Sequence, residues 1–336
     1  MSATQPLSDT ASRTRISLKG RLEALGLSIP LLACVVVLAL APLVVKNEYI
    51  LRLLVISLYF GILAMAFDFT GGFINAVNFG FAGFVGLGAY TSALLVLNTG
   101  ASPWLGLLAG MVVTGLVGML TGMLTLPLRG IYVSLMSWFV GLTLMALASA
   151  MVKVTRGARG LIVPPLYESA TILSYLYILL CLAVFLYVAL RLIIRSHIGL
   201  AFRAIGQNYE VARASGVSPT RYKLLNFTLS CAVAGLLGAF YAHLVGIITP
   251  DLMDTGHTME VMALAFIGGS GSLLGGVFAA FLFIPVFDSL KKLMEYRLII
   301  YGLSLMLIMI FYPAGLSGLY HFVIQYLKAL KGKSRS

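Results

Sequence analysis

The chain has 336 residues, of which 60% are hydrophobic and 10% charged, and its mean hydropathy is +1.01. No water-soluble domain of this size hides that much apolar surface, so the composition excludes a soluble globular protein and indicates a polytopic membrane protein. The net charge of +12 comes from Lys and Arg in tails and loops, where membrane proteins carry orientation signals, so it gives no reason to expect nucleic-acid binding.

Runs of about 20 apolar residues, the length that crosses a bilayer, recur along the sequence. In lipid the backbone must bond to itself, and runs without apolar/polar alternation do so as helices, not as strands of a barrel. The expected fold class is all-α, a polytopic α-helical membrane protein of about ten transmembrane or re-entrant helices. An N-terminal arm (1–27), carrying Arg13, Arg15, Lys19 and Arg21, is expected in the cytoplasm. The run after it ends in an A-x-A at Ala39–Ala41 that imitates a secretory cleavage site. Pro42 follows directly and hinders processing, so a retained first span is expected.

Spans are expected near 28–45, 49–69, 72–97, 104–126, 131–152, 173–194, 224–248, 258–270, 272–290 and 298–313. The segments 258–270 and 272–290 are short and meet at "IGGSGSLLGG", which leaves two oblique spans or one span with a re-entrant piece. The transmembrane domain is expected over 28–316, followed by a basic cytoplasmic tail, 317–336. Basic loop 195–223 belongs in the cytoplasm, and the segment with Asp251, Asp254 and Glu260 belongs outside. Lys153, Arg156 and Arg159, and likewise Lys291, Lys292 and Arg297, fall on the outer side against the charge rule. The three cysteines, Cys34, Cys181 and Cys231, lie in apolar runs and read as small core residues, not a disulfide framework or metal site.

The stretch "FINAVNFGFAGFVGLGAY", Phe73 to Tyr90, holds no charge but carries four glycines and the amides Asn75 and Asn78. Glycines let an interrupted or crowded helix approach its neighbours, and the amides either line a polar path or bond adjacent helices. "GLVGMLTG" (Gly115, Gly118, Gly122) and "AGLLGA" (Ala234, Gly235, Gly238) are spaced for close helix contact. Asp68 and Asp288 lie near expected span ends and read as interfacial carboxylates capping helices.

Enzymatic chemistry finds no constellation. His197, His243, His257 and His321 are scattered without ligand spacing. "GKS" at Gly332–Ser334 has Leu327 where a phosphate-binding loop needs glycine, so ATP hydrolysis by that route is excluded. The informative element is loop 195–223. Asn208 can cap a short helix with Glu210 in its first turn, Gly216 can supply a left-handed stop, and Ser218-Pro219 begins the next helix.

"EVARASG" in that loop resembles the E-x-A-x-x-x-G pattern by which ABC importer permeases engage their ATPases. Around it, "RSHIGLAFRAIGQNYEVARASGVSPTRYKLLNFTLS", "GFAGFVGLGAY", "LPLRGIYVSLMS", "TRGARGLIVPP", "LAFIGGSGSLLGGVFAA" and "MEYRLIIYGLSLMLIMIFYPAGLSG" resemble the LivM-type branched-chain amino acid permeases, in family order over about 49–318. The resemblance implies a multi-pass permease subunit of an ATP-driven importer in the bacterial inner (cytoplasmic) membrane. Its implied partners are a second related permease, two ATPase subunits that bind ATP and Mg, and a periplasmic solute-binding protein. The chain itself is expected to hold no cofactor and to be no enzyme. Arg203, Glu210, Ala212, Gly216 and Arg221 are the expected ATPase-coupling residues, and Asn75, Asn78, Phe81 and Tyr90 the expected substrate-path residues. Where the family commonly has serine and histidine this chain has Asn78 and Phe81, and its T-G-G-x-x-G-L loop is "TRGARGL". The solute is then a branched-chain or related amino acid, or alternatively urea, a short amide or an aromatic acid. An ion-coupled secondary transporter and a passive channel are the alternatives of another class.

Overall fold

The computed structural model describes residues 35–36, 38–42, 47–125, 128, 130–167, 171–289, 299, 302–303, 306 and 315. The arm, the tail, Cys34, Lys291, Lys292, Arg297 and most of the expected spans 28–45 and 298–313 lie outside them. Six described helices are long and apolar enough to cross a membrane. They are α1 (Glu48–Gly71), α2 (Phe81–Thr99), α3 (Pro103–Thr125) and α4 (Ile131–Ala150), then α6 (Ile172–Arg195) and α9 (Pro219–Val245). Shorter elements are α5 (Val152–Thr155), α7 (His197–Gln207), α8 (Tyr209–Ala214), α10 (Thr255–Gly268) and α11 (Gly275–Ser289). Two-residue strands β1 (Leu161–Ile162) and β2 (Ile247–Ile248) pair antiparallel, Leu161 opposite Ile248.

The helix ends follow local chemistry. Asn47 caps α1, its Oδ1 accepting from Tyr49 N at 3.0 Å, with Glu48 in the first turn. Pro219 opens α9 and Gly246, at φ 79°, closes it. α9 packs along α2 and α3, and these interfaces are made of small residues. A Cβ on Gly88 of α2 would lie 2.2 Å from the Gly235 carbonyl oxygen of α9, so these two backbones are in direct contact. Lipid tails are as apolar as leucine, so such close packing, not water exclusion, holds helices together here.

The elements share two ends. Loop 195–218, comprising α7 and α8, defines one end, and α9 runs from it to β2 at the far end. β2 holds β1, so Lys153, Arg156 and Arg159, all exposed, lie at the far end too. α1 runs from the far end to the loop end, where Gly206 of α7 abuts the Phe73 carbonyl. α10 descends from the far end, a turn at 269–274 meets Asp68 and Gly72, and α11 returns until Asp288 accepts a 2.6 Å bond from Tyr49 Oη. Residues 258–289 therefore form a helical hairpin with both ends on one side.

Four expectations change. The span near 72–97 is not continuous: residues 72–80 form turns and extended chain, and the helix begins at Phe81, because the Gly80 backbone must press against α4. Asp68 caps as expected but is buried within the protein and caps a distant turn: its carboxylate accepts from Gly271 N at 2.8 Å and Leu273 N at 3.2 Å. Glu260 belongs to α10 and is 4% exposed, whereas Asp251 and Asp254 are exposed. Cys231 is a buried core residue, but Cys181 is exposed on α6.

Candidate translocation path and coupling surface

The loop end carries a small, fully capped module. Asn208 Oδ1 accepts from Glu210 N at 3.0 Å and Val211 N at 3.2 Å, satisfying amides that open α8. Gly216, at φ 82°, lets Val217 N reach back to the Ala212 carbonyl at 3.1 Å. Ala212 is buried beneath this turn, while Arg203, Glu210, Gly216 and Arg221 are exposed. The expected coupling residues thus divide into one seat and four surface positions.

α7 anchors the module. Its buried face of Gly199, Ala201, Phe202 and Ile205 turns to the bundle, with Phe202 edge-on to Phe69 at 5.6 Å and to Tyr222 at 6.3 Å. A Cβ on Gly206 would lie 2.4 Å from the Phe73 carbonyl oxygen, and Arg203 lies over the Phe73 ring at 5.9 Å. The module is thereby pressed against the break at 72–80. Between them opens a cavity of about 290 Å³ lined by Asn75, Leu128, Gln207, Asn208, Glu210 and Lys223 among others.

The expected path residues do not converge. Asn75 is exposed at that cavity, held at φ 59°, a left-handed conformation that asparagine tolerates. Asn78 is 2% exposed, its Oδ1 accepting from Gly80 N at 3.1 Å and its Nδ2 facing Cys231 Sγ of α9 at 3.9 Å. Phe81 is fully buried, edge-on to Phe67 at 5.5 Å. Tyr90, nearer the far end, is 4% exposed, and its hydroxyl has no hydrogen-bond partner among the described residues.

Other polar side chains carry the bundle's internal bonds. Asn226 Nδ2 donates to the Phe69 carbonyl and Ser230 Oγ to the Ala66 carbonyl, each at 2.7 Å, so α9 satisfies the end of α1. Thr258 Oγ1 accepts from Ala82 N at 3.0 Å, which ties α10 to the start of α2. His243 contacts the Pro164 carbonyl through Nδ1 at 2.7 Å and Ser92 Oγ through Nε2 at 2.8 Å. The carbonyl only accepts, so a neutral ring carries its proton on Nδ1 and takes the serine proton bond at Nε2. Tyr175 Oη donates to the His243 carbonyl at 2.7 Å and accepts from Leu166 N at 3.1 Å, fixing the far-end segment to α9. A lone histidine in an apolar run gave no sequence signal for this clasp.

A bundle of membrane-length helices, interrupted at 72–80 and carrying a rigid, exposed helical turn at one end, has the organisation of a transport permease. Residues 49–311 match the family described as branched-chain amino acid transport system / permease component, and the chain belongs to it, as a permease component of an ABC transporter. It is 28% identical over 284 residues to the high-affinity branched-chain amino acid transport system permease protein LivM of Salmonella typhimurium strain LT2, covering 76% of this chain and 67% of that protein. It is 27% identical over 314 residues to LivM of Escherichia coli K12, covering 85% and 74%. It is also 30% identical over 130 residues to the autoinducer 2 import system permease protein LsrC of Escherichia coli O9:H4, covering 36% and 37%. No solved structure matches the chain.

Proposed function

We propose that this chain is the permease subunit of an ATP-driven importer in the bacterial inner membrane, with loop 195–223 in the cytoplasm. It works with a second related permease, two ATPase subunits that bind ATP and Mg, and a periplasmic solute-binding protein. The solute is a branched-chain or related amino acid, in keeping with the names of the longer-matching relatives. Urea, short amides and aromatic acids are the alternative, since LsrC serves an import system for a different solute.

The observation that carries this reading is the seating of the exposed α8 turn, through Gly206, on the 72–80 break. A push on the exposed loop reaches the interrupted segment through the contacts of Gly206 and Arg203 with Phe73, beside the cavity of about 290 Å³. It also enters α9 at Pro219. At 27 residues, α9 is about 40 Å long, enough to carry displacement to β2 at the far end. No bond of the solute is broken; closure of the ATPases rocks the helices between two accesses.

The test is uptake by the reconstituted complex in proteoliposomes with binding protein, driven by ATP alone or by an ion gradient alone. ATP-dependent uptake is expected, with no ATPase activity from the lone chain. Uptake that follows the ion gradient and ignores ATP would overturn the reading in favour of a secondary transporter.

A further inference from the structure

We infer that the cavity between the α7–α8 module and the break at 72–80 binds the carboxylate of a small apolar acid arriving from the loop end, above all the solute once imported, and that its occupation slows transport. The inference rests on the importer reading with an amino-acid solute. At about 290 Å³ the cavity is close to the ~300 Å³ at which small-molecule clefts begin. Four separate parts of the fold wall it: the break, the start of α4, the end of α7 and the first turns of α9. Ile74, Val133 and Ile205 make it largely apolar, with a few polar groups among them, which is the composition of a ligand cleft.

Lys223 of α9 supplies the charge. Its side chain is partly buried, and among the described residues its ammonium has no ion pair and one hydrogen bond, a long one of 3.4 Å to the Leu128 carbonyl. An ammonium has three donors, so it has capacity left for an anion. The start of α4 favours the same sign. Gly130 begins this 20-residue helix without a side-chain cap bond, and Gly130 and Val133 both border the cavity, so the positive end of the helix lies at its wall. Asn75, in its left-handed conformation, and Gln207 are exposed there and add amides that serve either end of an amino acid. Glu210 borders the cavity too, but it is exposed, so water screens its charge more than that of Lys223. The wall at Lys223 therefore takes a carboxylate, and an ammonium faces the rim.

The position of the cavity gives binding its consequence. Gly206, which abuts the Phe73 carbonyl, is also part of the wall, so the cavity lies at the joint between the exposed module and the break. A body held between Gln207 and Ile74 touches both sides of that joint. Alternating access requires the two sides to shift against each other, and a ligand that binds one arrangement better lowers the population of the other. The exposed residues at the mouth lie at the loop end, so the internal solute reaches the site and the external solute does not.

The test uses the complete complex with its ATPases in nanodiscs, without binding protein, and ligand-observed NMR of leucine, isocaproate and isoamylamine, which share one apolar body. Leucine and isocaproate should displace each other, and isoamylamine should displace neither. Lys223→Met, which keeps the stem and removes the charge, should weaken both acids about 10- to 100-fold, the loss of one charge-assisted hydrogen bond, and Lys223→Arg should retain most of the binding. In proteoliposomes with isocaproate enclosed on the ATPase side, ATP-driven uptake should fall several-fold in the wild type and much less in Lys223→Met, each compared with its own rate without the acid. Equal displacement by isoamylamine, no acid binding to the wild-type complex, or unchanged binding in an assembled Lys223→Met complex overturns the site. Binding to the lone chain that disappears in the complex would mean that an ATPase side chain fills the cavity, and overturns it as well. Uptake indifferent to enclosed isocaproate overturns the regulation. ATP-dependent uptake without isocaproate decides the importer reading separately from the binding measurement.

Discussion

Removing the Asp68 carboxylate should open the α10–α11 turn locally before it unfolds the bundle. Asp68 binds two amides of a segment about two hundred residues away, Gly271 N at 2.8 Å and Leu273 N at 3.2 Å, and it is 4% exposed, so water does not replace it easily. Leu273 sits at φ 50°, a left-handed conformation that an ordinary leucine avoids, and the second bond holds it there. Hydrogen bonds to a charged group contribute about 1.5–3 kcal/mol each, so Asp68→Ala should cost about 3–6 kcal/mol if neither amide finds another partner. Asp68→Asn keeps one acceptor oxygen and should cost roughly half. The assay is hydrogen–deuterium exchange in nanodiscs at neutral pH, followed on the peptide spanning 269–275. A local loss of about 3 kcal/mol raises exchange roughly 100-fold there, with α2 and α9 much less affected. Unchanged exchange at Gly271 and Leu273 in Asp68→Ala would refute the argument that this carboxylate holds the turn.

Gly216→Val meets no atom within 4 Å but sits at φ 82°, so its cost is backbone strain of about 1–2 kcal/mol confined to the end of α8. The protein should insert normally and lose ATPase association or coupled uptake; unaltered co-purification and uptake would remove this turn from the mechanism. Asn78→Leu gives up the Gly80 bond and the contact with Cys231, and should lower stability by about 1–3 kcal/mol in thermal unfolding without altering solute preference. A changed preference at normal stability would place the amide on the path instead. Gly88→Ala brings a Cβ to 2.2 Å from a backbone carbonyl of α9, which forces the helices apart at about 1–3 kcal/mol or more, and a wild-type melting temperature would contradict the close approach.

The exposed turn at 208–219 was legible because its signals are local. Asn208 and Gly216 act on backbone groups within a few residues, Pro219 opens α9 after Ser218, whose side chain makes no cap bond, and the structure places cap, stop and start at those positions. The alternation of helices between two ends was also readable from the lengths of the apolar runs. The break at 72–80 was only half legible. Its glycines and amides announced a departure from a plain span, but where the helix starts depends on the approach of Gly80 to α4, which is a contact between distant segments. Asp68 and Glu260 misled for the same reason. Each stands near a polar stretch in the sequence, so each read as a surface acid, and only the hairpin's return to α1 shows why they are buried. The stack of Tyr59 on Tyr241 carries no signal at all until α1 and α9 are laid side by side.

The hairpin has a bearing on how the protein meets its bilayer. α10 has 14 residues and α11 has 15, so each is about 21–23 Å long, against a hydrocarbon layer of about 30 Å. Neither is long enough to partition stably by itself, and a chain emerging from the ribosome gains little by inserting one without the other. The pair should enter as a unit, after α1 has supplied the carboxylate and the small-residue surface at Gly61 and Ala64 that receive Val277 and Gly276. On the side where α11 turns Phe278, Leu282 and Val286 outward, the lipid has a short wall to match, and the leaflet there must thin or its acyl chains tilt. Bilayer thickness then becomes a variable of assembly: longer-chain lipids should penalise this corner of the molecule first, leaving the six long helices in place.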